Sequence, residues 1–149
     1  MDIVLVNPDI PGNTGNVGRT CVATKTKLHL IEPIGFSLDD RLLKRAGLDY
    51  WKDLEIQVHP SFSKCMQEES MRGRPIFLFS RFAKKSLWET EFPRSGILVF
   101  GSETQGLPES IKDHDDAQLV GIPMTGPVRS LNLSTAVGIA LYEALRQQK

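Results

Sequence analysis

The tightest constraint on this chain is its alternation of short apolar runs with stretches of helical period. Ile76–Ser80 and Ile97–Phe100 are apolar at nearly every position, a pattern suited to strands covered on both faces. Ile3–Val6, Lys27–Ile31, Leu54–Val58 and Gln118–Ile122 also read as strands. Between them Asn16–Thr26, Asp39–Ala46, Ser61–Glu69 and Pro108–Lys112 read as helices, and a helix closes the chain. Ser37 or Asp39 caps the second of these helices and Gly47 ends it. The alternation predicts an α/β fold, a mostly parallel sheet flanked by helices. The 149 residues carry no repeat, low-complexity tract or linker, so one domain, 1–149, is expected.

Composition narrows the class. Hydrophobic residues make up 40% and charged residues 24% of the chain, as in a globular protein with a real core, not a disordered one. No apolar run approaches the roughly 20 residues that span a bilayer. The opening Met1-Asp2-Ile3-Val4-Leu5-Val6 carries no basic leader, so no membrane association and a cytoplasmic location are expected. The two cysteines, Cys21 and Cys65, form no disulfide framework and lack metal-ligand spacing; they read as buried thiols. Eighteen basic residues balance eighteen acidic ones. Bulk charge therefore gives no sign of nucleic-acid binding, although Arg41, Lys44 and Arg45, Arg72 and Arg74, or Arg81, Lys84 and Lys85 can form local basic patches.

Three loops stand out at strand ends, where open parallel sheets bind ligands. The first runs from Asn7 to Arg19 and spaces Gly12, Gly15 and Gly18 three apart. That is neither a dinucleotide fingerprint nor a Walker loop. It brings Asn16 and Arg19 to a helix start, and reads either as an anion site or as a turn capped by Asn13 or Thr14. The second is Phe100-Gly-Ser-Glu-Thr-Gln-Gly-Leu-Pro108. Gly101 and Gly106 permit close approach there, and Glu103 is either functional or a carboxylate serving the Pro108 helix. The third, Ile122-Pro-Met-Thr-Gly-Pro-Val-Arg-Ser-Leu-Asn-Leu-Ser134, feeds the amphipathic C-terminal helix. Its Arg129, Ser130, Asn132 and Ser134 are either helix caps or a binding edge.

Common enzyme templates fit poorly. His29, His59 and His114 sit in unrelated sequence contexts, and no Gly-x-Ser-x-Gly elbow exists. No metal spacing is present, so no metal is expected. Such a chain suits a reaction whose hard chemistry lies in an organic cofactor.

Taken together, Asn13-Thr-Gly-Asn-Val-Gly-Arg19, Leu98-Val-Phe-Gly-Ser-Glu-Thr-Gln-Gly-Leu-Pro108 and the segment Ile122–Ser134 resemble the three motifs of the SPOUT RNA 2′-O-ribose methyltransferases. Leu43-Lys-Arg-Ala-Gly-Leu-Asp-Tyr-Trp51 and the short chain resemble the TrmL subfamily, which acts on the wobble nucleotide of tRNA. The resemblance covers essentially the whole chain. It implies a deep C-terminal trefoil knot, an exception to unknotted topology, and a homodimer packed through the C-terminal and first helices. It implies S-adenosylmethionine bound by Phe79, Gly101, Ile122, Met124, Ser130 and Leu131, with Phe79 standing where the family has a smaller aliphatic residue. By motif position Arg19 is the catalytic base or a phosphate clamp, with Asn16, Glu103, Ser130 and Asn132 as positioning partners; Glu103 would orient Arg19 or the ribose. Arg19, Arg41, Lys44, Arg45, Arg81, Lys84 and Lys85 are the expected tRNA contacts. The implied activity is methylation of the wobble cytidine or uridine ribose. Another tRNA or rRNA ribose, or a non-catalytic knotted RNA-binding dimer, are the alternatives.

Overall fold

Apolar alternation builds a six-stranded parallel sheet between two helical layers. The computed structural model describes residues 1–39, 41, 45 and 50–149. The strands are β1 (Asp2–Val6), β2 (Lys27–Ile31), β3 (Ile56–His59), β4 (Ile76–Phe79), β5 (Ile97–Phe100) and β6 (Ala117–Val120). Their spatial order is β3-β2-β1-β5-β4-β6, and every pairing is parallel. The described helices are α1 (Pro11–Thr24), α2 (Phe62–Gln67), α3 (Glu109–Lys112) and α4 (Leu133–Arg146), with short 3-10 turns at Trp51–Asp53 and Leu87–Glu89. The helix expected over Asp39–Ala46 falls mostly outside the described residues, as does Lys44.

Successive strand residues point to opposite faces, and each face has its own core. Ile3, Leu5, Leu98, Phe100, Phe77 and Phe79 pack against Val17 and Cys21 of α1 and Val137, Ala140 and Leu141 of α4. Val4, Val6, Ile76, Leu78, Ile97 and Val99 pack on the other side against Phe62, Cys65 and Ile111. The edge strands β3 and β6 bury only their last residue fully. Both cysteines are free and buried, and burial pushes each thiol up to about 12.

The first helix begins at Pro11, five residues before the expected Asn16. Proline suits a first helical turn because its missing N–H is unneeded there. Neither Asn13 nor Thr14 caps it: the residue preceding Pro11 is Ile10, whose side chain makes no cap bond. The cap comes from a distant loop, described below.

A partly buried polar chain runs from the amino end of β1 across the sheet to the carboxyl end of β3. Arg74 Nη1 donates to Asp2 Oδ2 at 2.7 Å, and His29 Nε2 lies 3.5 Å from the same oxygen. His29 Nδ1 sits 2.9 Å from His59 Nε2. The histidines, unrelated in sequence context, are thus neighbours, because parallel pairing of β2 and β3 places them on one face. Cys65 joins them, with one ligand atom from each residue within 4.8 Å of the others. Metal spacing absent along the chain is therefore assembled in space. Two nitrogens ligating one tetrahedral zinc lie about 3.4 Å apart, so 2.9 Å is hydrogen-bond geometry.

Burial alone would raise the Asp2 carboxyl, but the neighbouring His29 ring and the hydrogen bond from Arg74 outweigh it and hold the group well below the usual carboxylate range. Burial, together with the neighbouring His29, lowers the His59 imidazole. Both groups are depressed in the fold, so each contributes stability above its unfolded pKa that is lost as pH falls through the folded one. Thermal melting is expected to drop as pH falls from about 7 to about 5, the window opened by His59. His59→Gln flattens that slope and leaves the acid loss due to Asp2 at lower pH. An unchanged slope in calorimetric melts of the variant would contradict the assignment.

Candidate functional site

The carboxyl ends of β1, β4, β5 and β6 feed loops onto one edge of the sheet, and a cavity of about 510 Å³ opens there. This is within the usual range for small-molecule sites, about 300–1,000 Å³. It lies where strand order turns back, with β4 placed outside β5. Phe79, Gly101, Ile122, Met124, Ser130 and Leu131 all line it, together with Glu103 and Asn132. The Phe79 ring stacks on Phe100 at 4.6 Å and 9°, giving the cavity an aromatic wall. Phenylalanine therefore fills a place expected to be aliphatic by becoming part of a stack.

The loop after β5 is a tight turn. Ser102 and Gly106 exchange backbone hydrogen bonds, and Gly106 has φ +69°. A Cβ on Gly101 would lie 2.0 Å from the Gly106 carbonyl carbon and 2.2 Å from the Leu107 nitrogen. Only glycine allows the backbone to fold over itself at this point.

Glu103 projects from that turn to the start of α1. It accepts from the backbone N–H groups of Asp9 at 2.8 Å and Ile10 at 3.2 Å, and from Asn13 Nδ2 at 3.1 Å. Thr104 adds a 2.6 Å bond from its hydroxyl to the Asp9 carboxylate. The carboxylate thus serves the Pro11 helix rather than the Pro108 helix, satisfying donors at a positive helix end. Asn13 Oδ1 in turn accepts from Asn132 Nδ2 at 2.9 Å. Asn132 caps α4 through its own oxygen, which accepts from the N–H of Ser134 at 2.9 Å. Capping and site-building, alternatives in sequence, coincide at Asn132.

Asn16 and Arg19 are placed differently. Both are exposed on α1 and neither lines the cavity. The Arg19 guanidinium lies 5.0 Å over the ring of Tyr50, one of the two aromatic residues in the segment Leu43–Trp51. Among the described residues no carboxylate pairs with it. Arg41, Arg45, Arg81, Lys84 and Lys85 are exposed, and only Arg81 lines the cavity. The cavity lining also includes residues to which the sequence gives no binding role, among them Asn13, Phe82 and Lys112. Asn13 had been read only as a cap. Its signal was its place in the first motif; that of Phe82 was an aromatic residue set directly after a cation.

Comparison with known proteins agrees with this geometry. The model of the SpoU rRNA methylase family matches residues 1–142. A tRNA (cytidine(34)-2′-O)-methyltransferase of Methylovorus glucosotrophus (strain SIP3-4) is 45% identical, over 98% of this chain and 94% of its own. A solved structure described as giving structural insights into the 2-OH methylation of C/U34 on tRNA superposes with a TM-score of 0.93 at 48% identity. It is matched over 99% of this chain and 95% of its own. The SpoU methyltransferase AviRb from Streptomyces viridochromogenes, solved in complex with the cofactor AdoMet, gives a TM-score of 0.88 at 27% identity, over 99% of this chain and 60% of its own. The chain belongs to the SpoU rRNA methylase family and has the knotted α/β fold of its SPOUT methyltransferases.

Proposed function

We propose that this chain is an S-adenosylmethionine-dependent tRNA 2′-O-methyltransferase that modifies the ribose of the wobble cytidine or uridine. It acts as one domain, 1–149, in a cytoplasmic homodimer. The observation that carries this reading is the cavity at the carboxyl edge, where all six residues expected to hold the cofactor meet. Among the described residues no helix is long and apolar enough to cross a membrane.

The residues present fit S-adenosylmethionine. The Phe79–Phe100 stack and the side chains of Ile122 and Leu131 suit a flat purine, and Gly101, Met124 and Ser130, which line the same cavity, would hold the rest of the molecule. When bound, the cofactor would supply a sulfonium-activated methyl group to the ribose 2′-oxygen and leave as S-adenosylhomocysteine, the hydroxyl proton being released to solvent. The protein's task is then alignment of acceptor with donor. Glu103 and Asn132 do this indirectly, by holding the loops in register. Arg19 is the phosphate clamp: a guanidinium keeps its proton in proteins, and its fork meets no carboxylate among the described residues and is steadied on Tyr50. Asn16, on the same exposed side of α1, positions the RNA beside it.

Dimerisation supplies what the single chain lacks. Arg19 and Asn16 stand outside the cavity, so a site that unites them with it draws on two chains. Ile139 and Tyr142 on α4 are 40% and 58% exposed, and Ile10, before α1, is 46% exposed. These are apolar groups that a second copy would cover.

Titration calorimetry is expected to show S-adenosylhomocysteine binding; no heat at millimolar ligand overturns the enzymatic reading. Gly101→Ala forces the loop apart and is expected to abolish that binding and cost about 1–3 kcal/mol of stability in thermal melts. Arg19→Ala should leave cofactor binding unchanged and lower kcat/KM for tRNA by about tenfold to hundredfold, the scale of a lost charge-assisted contact. Arg19→Lys should retain part of the activity, because an ammonium still binds phosphate; complete loss in both variants would favour a base role. Mass-spectrometric mapping of methylated nucleosides checks the wobble assignment.

A further inference from the structure

The loop after β4 carries an aromatic ring that is not among the six residues expected to hold the cofactor. Phe82 is 71% exposed and belongs to neither hydrophobic core. Its ring partners are cations: the Arg81 guanidinium lies 4.6 Å and the Lys112 ammonium 5.8 Å from its centroid. The turn that presents it is built. The Phe82 N–H donates to Ser80 Oγ at 3.3 Å and the Ala83 N–H to the Ser80 carbonyl at 3.2 Å. Arg81, Phe82 and Lys112 all line the cavity, and the Lys112 ammonium is paired with Glu109 at 2.7 Å. Six residues on, Trp88 is 74% exposed, with Lys84 and Lys85 exposed between the two aromatics.

An exposed phenylalanine flanked by cations gains little by facing water. A flat π-system laid on the ring would bury its face, and the adjoining Arg81 guanidinium would meet a phosphate beside it. Unpaired nucleobases have this shape and charge, and base–aromatic stacking over basic grooves is how single-stranded RNA is commonly held. We propose that Phe82 is a stacking platform for an unpaired base of the RNA loop next to the ribose that is methylated, with Arg81 gripping a flanking phosphate. The inference rests on the RNA methyltransferase reading above, and it makes Phe82 a substrate-positioning residue.

The test uses the full-length protein and measures methyl transfer to tRNA at saturating S-adenosylmethionine. Phe82→Ala should lower kcat/KM for tRNA about tenfold to hundredfold, the scale of one lost base stack, with S-adenosylhomocysteine affinity unchanged. Phe82→Trp should restore activity, whereas Phe82→Leu, apolar without a π-face, should not. Four outcomes overturn the proposal. Wild-type kinetics in Phe82→Ala would mean that the ring does not touch RNA. Weakened S-adenosylhomocysteine binding that accounts for the loss would place the ring against the cofactor. A changed mass by light scattering would make it a contact between copies. Full activity in Phe82→Leu would reduce it to apolar packing. The functional reading fails separately: a wild-type protein that neither methylates nor binds tRNA removes both ideas, whereas an active wild type isolates the role of Phe82.

Discussion

A single carboxylate organises the site. Glu103 accepts from two backbone N–H groups and one side-chain amide at the start of α1, and the same Asn13 then reaches Asn132 in the last loop. The partners are 90 and 119 residues apart in sequence. Hydrogen bonds to a charged group contribute about 1.5–3 kcal/mol each. The three loops therefore move as one unit, and the cavity wall they form is set before any ligand arrives. The Gly101 turn is the second half of this device, since it aims Glu103 by folding the backbone tightly onto Gly106 and Leu107.

This arrangement gives α1 three tasks on three surfaces. Its inner face, with Val17 and Cys21, completes the core against α4 and the sheet. Its amino end is bound to the cavity loops through Glu103. Its outer side carries Asn16 and Arg19 away from that cavity. A helix that is both core and clamp is rigid, so a side chain on its outer face is held in a defined direction relative to the pocket. That suits a residue meant to act across an interface rather than within its own chain.

How much of this could be read from sequence follows from the range of the interactions. The buried strands β4 and β5 were legible because continuous apolar runs respond to burial on both faces, a local signal. The cavity residues were legible because the family resemblance carries spatial information that periodicity lacks. The start of α1 was not, since its cap is Glu103, a residue more than ninety positions away from Ile10. The pairing of His29 with His59 was invisible for the same reason: strand register, not spacing, decides it. Phe82 was missed because composition ranks an aromatic as core, and only the fold shows it outside both cores.

Net charge misleads in the same way. Equal numbers of acids and bases argue against RNA binding if every charge is equally available. They are not. Arg74 is held by Asp2, Arg146 by Glu143, Lys112 by Glu109 and Lys27 lies near Glu55. Arg19 and Arg81 instead rest on the rings of Tyr50 and Phe82. A ring orients a guanidinium without neutralising it, because the attraction is to a quadrupole and leaves the N–H fork free. Among the described residues the positive surface is thus defined by which cations lack a carboxylate, and the two guanidiniums held on rings lie on the first helix and in the cavity lining. A neutral protein presents a basic edge wherever its acids are spent on structure elsewhere.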